Sequence, residues 1–310
     1  MTFAYAVLGL LALLVAANLI LGRLPRPPAD GGGVIEAAGG PIHYVESIGE
    51  GTPIVFIHGM PSTCREFDRV RALLAGRHTI AFDRPGYAWS TGAPQEFAAQ
   101  LDSLVEAAGA LGVERAIVVG HSFGGLAALG MAIRRPEFVE RLVLIAPAAG
   151  GSRVPEGQQK QARWILRIER FKLRVLLDLL FMRLVRKHAA KLGAASVYGD
   201  GPDCAAERHV AESMLARHNS VRAFANDRVI FNDAERLVTR GLGRIVAQVT
   251  ILQGSKDKTV TTKNAERLLG EAVALDNVME RLQGRQQLGQ VLQRRSVGPV
   301  GQHHGRIGRR

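Results

Sequence analysis

Hydrophobic and polar positions change their period several times along this chain. Phe3 to Leu21 runs for 19 residues without a charge, with Asn18 as the only strongly polar member. As a helix the run rises about 28 Å, close to one hydrocarbon core. Short strand-like segments follow: Val34–Ala37 and Ile42–Ser47, with Gly39-Gly40 between them as a hairpin turn. Ile54–Ile57 is wholly apolar, Arg65–Ala75 reads as a helix, and His78–Phe82 as a buried strand. Phe97, Leu101, Leu104, Val105, Ala108 and Leu111 fall on one helical face. Ala116–Val119, Phe123–Arg135 and Leu142–Ile145 continue as strand, helix, strand. This alternation predicts an α/β fold, a mostly parallel sheet flanked by helices. No internal repeat interrupts it.

Two stretches fall outside the alternation. Residues 24–33 are rich in Pro and Gly and read as a linker. About a hundred residues separate the strand ending near Ile145 from the next, Val249–Leu252, too many for a simple crossover. The apolar run at the start has two readings, a cleaved signal ending near Val15-Ala16-Ala17 or a signal anchor. The run continues to Leu21 and no Lys or Arg precedes it, which favours the anchor. Arg23 and Arg26 follow it and place the body on the cytoplasmic side of a single-pass topology.

Composition narrows the class. With 310 residues and 47% hydrophobic content, the chain can bury a sizeable core and is neither disordered nor fibrous. Two cysteines, Cys64 and Cys204, are too few for a disulfide framework or a thiolate zinc site. The nine histidines lack ligand spacing, so no metal is expected. The net charge of +12 is local. Residues 151–191 hold eleven Lys/Arg against three acids, residues 281–310 hold seven Arg and no acid, and the remainder is slightly acidic. A nucleic-acid surface is not expected, because the basic stretches carry few aromatics and match no recognised module.

The chemistry lies at the strand–helix turn after Val119, Gly120-His121-Ser122-Phe123-Gly124-Gly125, a G-x-S-x-G sequence in the required context. Its glycines suit a strained turn that lifts a serine hydroxyl above the sheet edge, with the positive end of the next helix behind it.

Four segments in order over residues 34–265 resemble the α/β-hydrolase superfamily: His58-Gly59-Met60-Pro61 after a strand, Asp83-Arg84-Pro85-Gly86-Tyr87, the serine turn, and Val249–Leu252 followed by Gly254-Ser-Lys-Asp257. The resemblance implies Ser122 as nucleophile and Asp257 as the acid that orients a histidine. It implies the amides of Met60 and Phe123 as oxyanion donors, with His58, Gly59 and His121 around the binding site. His58 is read as a structural loop histidine rather than a base, Asp83–Tyr87 as a structural turn, and Asp257 has an Asx turn as its rival role. Relatives that dehalogenate or open epoxides carry Asp at the nucleophile position. Serine implies acyl-enzyme chemistry on an ester, thioester, amide or lactone, a carbon–carbon hydrolase variant, or perhydrolysis. No cofactor is implied.

In such relatives the long insertion is a helical cap. The expected organisation is 1–22 transmembrane anchor, 23–33 linker, 34–150 first part of the core, 151–244 cap, 245–277 second part of the core and 278–310 atypical basic tail. Trp164, Ile168, Phe171, Val175, Leu179 and Met182 form an apolar stripe beside Arg163, Arg167, Arg170 and Arg174. The stripe reads as a face packed on the body, or else as a lid on an anionic membrane surface, which points to a lipophilic substrate. His188, His209 and His218 are read as surface residues.

The triad histidine breaks the resemblance. The window about 25–30 residues after Asp257 holds Leu282–Gln287 and no histidine. The first candidates are His303 and His304, in a tail from Arg281 with six Gln, six Gly and no aromatic residue. Ala272–Leu275 is the only fragment of the missing closing strand. A reading-frame shift near residues 270–280 accounts for the break. The rival is a tail that folds back and lends His303 or His304 as base. Two functions follow: a serine hydrolase acting on a small-molecule acyl substrate, membrane-bound through residues 3–21 and the basic cap, or an inactive membrane-tethered binding protein.

Overall fold

A computed structural model describes residues 2–21, 32–92, 95–170, 183–198, 205–255, 257, 259–271 and 278–282. In chain order the elements are α1 (Thr2–Leu21), β1 (Gly32–Ala37), β2 (Gly40–Ser47), β3 (Glu50–Ile57), a 3-10 turn (Cys64–Phe67), α2 (Asp68–Leu73) and β4 (Arg77–Phe82). Then come α3 (Phe97–Ala110), β5 (Ala116–His121), α4 (Phe123–Arg134) and β6 (Val139–Ile145). The insertion contributes α5 (Glu156–Arg170), α6 (Arg183–Tyr198), α7 (Ala205–Leu215) and α8 (His218–Gly241). β7 (Gln248–Gly254), α9 (Thr262–Glu271) and β8 (Val278–Leu282) follow.

The strands form one eight-stranded sheet in the order β1-β2-β4-β3-β5-β6-β7-β8. β1 and β2 make the expected hairpin, with Ala37 opposite Gly40, and β2 pairs antiparallel with β4. The remaining pairs are parallel. Alternation along each strand sorts side chains to the two faces. Val55 and Ile57 of β3, Ile80 and Phe82 of β4, and Val118 of β5 pack with Leu101, Leu104, Leu126 and Leu129 of α3 and α4. Ile54, Phe56, Ala81 and Val119 face the other way, where the Phe56 and Phe67 rings lie 4.9 Å apart. Where a longer helix was expected over Arg65–Ala75, the chain makes a 3-10 turn capped by the Thr63 hydroxyl before the six residues of α2.

Helix α8 belongs to the main core through Phe231, Ala234 and Val238, while α6 and α7 pack around Tyr87 and Ala223. Helix α5 turns inward through Ala162 with Ile165 and Leu166 half-buried, and Trp164 is 65% exposed. Of the two readings of the stripe, the one that packs Trp164 on the body does not hold for that residue, and the side chains of Ile168 and Arg170 lie outside the described residues. Phe171, Arg174, Val175, Leu179 and Met182 lie outside the described residues.

Two further expectations are corrected. Among the described residues no helix is long and apolar enough to cross a membrane. The anchor through residues 3–21, the membrane location and the single-pass topology drawn from it are overturned. Helix α1 instead lies against α6, where the buried Asn18 accepts a hydrogen bond at 3.3 Å from the Leu184 amide. The tail expected to lack a closing strand supplies one: β8 runs parallel to β7, with Ile251 opposite Met279.

Candidate active site

Ser122 sits between β5 and α4 with φ 51° and ψ −117°, a left-handed conformation that costs a non-glycine residue about 1–3 kcal/mol. The surrounding backbone holds it there. The Ser122 amide donates to the Ile145 carbonyl at 2.9 Å, and the Ser122 carbonyl accepts from Gly125 and Ala148, each at 2.9 Å. The turn leaves no room for a side chain at Gly120 or Gly124. A Cβ on Gly124 would lie 2.0 Å from the Ile57 carbonyl oxygen, and one on Gly120 would lie 2.3 Å from the Gly124 carbonyl oxygen. The glycines thus let α4 start directly against β3 and β5, with Ser122 at its positive end.

The His58–Pro61 loop reaches the same point. A Cβ on Gly59 would be 3.1 Å from both the Ser122 Cβ and His121 Nδ1. The polar groups of Gly59 are already engaged. Its amide donates to Glu66 Oε1 at 3.2 Å. Its carbonyl accepts from His58 Nδ1 at 2.8 Å and from the Arg84 guanidinium at 3.1 Å. His58 Nε2 accepts from the Arg84 amide at 2.9 Å, which fixes the proton on Nδ1. Burial, and then the Arg84 charge, lower the His58 pKa to about 4. His58 is fully buried, so it braces the loop instead of lining an open binding face.

His121 is half-buried, with Nδ1 3.1 Å from Glu66 Oε1. Burial alone would lower its pKa, but the Glu66 carboxylate, and then Asp257, outweigh that and raise it. Burial works to raise the Glu66 pKa and is likewise overcome, mainly by His121. Asp257 Oδ1 accepts from the amides of Thr259 and Val260 at 2.8 and 3.0 Å, and Gln253 Nε2 approaches Oδ2 at 3.4 Å. The carboxylate therefore makes an Asx turn while its charge still reaches His121.

Ser122, Gly59, Met60, Phe123, His121 and Asp257 thus gather at the C-terminal ends of β3, β5 and β7. His303 and His304 lie outside the described residues. Among the described residues no side chain hydrogen-bonds the Ser122 hydroxyl. Three groups here escaped sequence reasoning. Glu66 is 55 residues from His121, and Arg84 pairs with Asp227, 143 residues away. Neither separation leaves a periodic trace.

One buried trio could in principle hold a metal ion: His43, Cys64 and Asp83 bring ligand atoms within 4.8 Å of one another. Their chemistry does not favour one. Asp83 already accepts from the Cys64 amide and contacts His43 Nδ1, each at 2.8 Å, and burial pushes the Cys64 thiol well above its ordinary pKa. A thiolate ligand is thereby disfavoured.

A sequence profile described as the alpha/beta hydrolase family matches residues 54–298. The chain belongs to the alpha/beta hydrolase family. The match runs past the composition break near residue 280. Among its relatives, an (E)-2-((N-methylformamido)methylene)succinate hydrolase of Acinetobacter baylyi is 30% identical over 106 residues, covering 33% of this chain and 40% of that protein. A 2-hydroxymuconate semialdehyde hydrolase of a Pseudomonas strain is 35% identical over 116 residues, covering 35% and 41%. The aligned part of the chain therefore spans about two fifths of each relative. Among solved structures, an esterase from Exiguobacterium antarcticum superposes with a TM-score of 0.62 at 19% identity, covering 81% of this chain and 91% of that one. An enol-lactonase from Burkholderia xenovorans gives 0.58 at 17%, covering 80% and 91%. These alpha/beta hydrolase structures share the fold.

Proposed function

We propose that this alpha/beta hydrolase is a serine hydrolase that cleaves an ester, thioester or related acyl substrate through an acyl-enzyme. The left-handed Ser122 at the head of α4, faced by the Gly59–Met60 loop, carries the reading. Ser122 Oγ attacks the substrate carbonyl carbon while its proton passes to a histidine oriented by Asp257. Negative charge develops on the carbonyl oxygen and is met by the Met60 and Phe123 amides. The Gly59 amide is committed to Glu66, which leaves Met60 as the donor from that loop. Collapse of the tetrahedral intermediate expels the protonated leaving group, and water then hydrolyses the acyl-serine by the same steps. His303 is the proposed base, and the insertion of residues 151–244 is proposed as the cap over the substrate. The hydrolases among the relatives support the reaction class; the substrate is a small acyl compound.

A second reading, an inactive binding protein, is favoured by one observation: among the described residues no base contacts Ser122. Pre-steady-state hydrolysis of p-nitrophenyl butyrate separates the two. A serine hydrolase gives p-nitrophenol release that Ser122→Ala abolishes. Release equal in wild type and Ser122→Ala selects the binding protein.

A further inference from the structure

Arg84 is fully buried, yet it is not held by its ion pair alone. Its Nε donates to the His58 carbonyl at 3.0 Å, and one terminal nitrogen serves both the Gly59 carbonyl at 3.1 Å and Asp227 Oδ2 at 2.7 Å. The other terminal nitrogen donates to Gln100 Oε1 at 3.3 Å. The guanidinium also lies 4.5 Å from the centre of the Phe123 ring and 4.6 Å from that of Tyr87. One side chain therefore touches two consecutive carbonyls of the His58–Pro61 loop and the ring of the residue that follows Ser122.

The peptide joining Gly59 to Met60 is planar and trans, so its C=O and N–H point in opposite directions. Holding the Gly59 carbonyl inward turns the Met60 N–H outward. We propose that Arg84, fixed by Asp227 of α8, is the positioning residue of the oxyanion hole. Its fork sets the Met60 amide through the Gly59 carbonyl, and its face steadies Phe123, whose amide is the second donor. Helix α8 lies in the insertion, so the insertion is coupled to the donors through the Asp227–Arg84 pair. A lysine retains the charge for Asp227 but is a single point donor, without the planar fork that spans two carbonyls. The inference rests on the serine-hydrolase reading of the site.

The test uses the full chain, p-nitrophenyl butyrate and a fluorophosphonate probe. Arg84→Lys is expected to lower kcat and the labelling rate constant about ten- to a hundredfold, with KM within about threefold. Outright removal of an oxyanion donor costs about a hundred- to a thousandfold, and a misaimed one costs less. A folded Arg84→Lys protein with kcat and labelling within twofold of wild type overturns the proposal, as does a rise in KM with kcat unchanged. If Arg84→Lys does not fold, the double variant Arg84→Met with Asp227→Leu replaces the pair by apolar side chains of similar size, an exchange that buried pairs often tolerate. That variant is expected to fold and still lose the same rate; full activity in it overturns the proposal. Wild type that shows no Ser122-dependent labelling removes the serine-hydrolase reading and this inference together, and that outcome is seen before any Arg84 variant is compared.

Discussion

Replacing Asp227 by alanine probes the joint between the insertion and the sheet. In the wild type, Asp227 Oδ2 accepts from Arg84 and from the Tyr87 hydroxyl, each at 2.7 Å, and Oδ1 accepts from Gln100 at 3.3 Å. All four side chains are buried. Alanine leaves a guanidinium without its counter-charge, and two polar groups lose a partner. Removing one member of a buried pair costs about 3–5 kcal/mol, and the orphaned hydroxyl and amide overlap with that cost rather than adding fully to it. A loss of about 4 kcal/mol corresponds to a Tm lower by roughly 10 °C in a chain of this size. Urea unfolding at pH 7, followed by circular dichroism, measures it directly. The double variant Arg84→Met with Asp227→Leu is expected to lose less than Asp227→Ala alone, because no charge is left stranded. A loss below about 1 kcal/mol for Asp227→Ala, or a double variant as unstable as the summed single ones, refutes this reasoning.

Other consequences follow from the same contacts. Gly124→Ala forces a Cβ against the Ile57 carbonyl, so α4 must shift; probe labelling at Ser122 is expected to fall at least tenfold in a protein that still folds, and unchanged labelling contradicts this. Phe56→Ala opens a cavity beside Phe67 and is expected to cost about 3–5 kcal/mol in urea unfolding, with under 1 kcal/mol as the refuting result. Histidine NMR is expected to show His58 still neutral until the pH nears about 4, while His121 titrates above its ordinary value; the reverse order contradicts the assignment. Because folding raises the His121 pKa, its contribution to stability is full below about pH 6.5 and fades as pH rises through the folded value. The stability gap between wild type and His121→Gln is therefore expected to shrink from pH 6 to pH 9, and a gap that widens with pH refutes the sign.

Local periodicity carried the sheet. The apolar runs at Ile54–Ile57 and Ala116–Val119 lie in strands, because a strand buried on both faces has no polar positions to confuse the pattern. The serine turn was equally legible, since its glycines answer a steric demand within five residues. What the pattern missed is long-range or polar. Nothing near Arg84 announces that a charged residue will be fully buried, because its partner comes from α8. Helical spacing leaves open whether Trp164 packs on the body or faces outward, and α5 buries the smaller Ala162 and leaves the indole outside. The closing strand β8 was missed because Val278–Leu282 contains Glu280 and Arg281, whose charges break an apolar run. Residues 3–21 were read as a span from hydropathy alone, and that measure does not register the packing of Asn18 against α6.

The central claim is that Ser122 is an activated nucleophile, and covalent labelling tests it most directly. The purified chain would be incubated with a fluorophosphonate probe, digested, and the modified peptide sequenced by mass spectrometry. The account predicts one adduct, on Ser122, absent from Ser122→Ala. A folded chain that carries no adduct at Ser122 after prolonged exposure contradicts it.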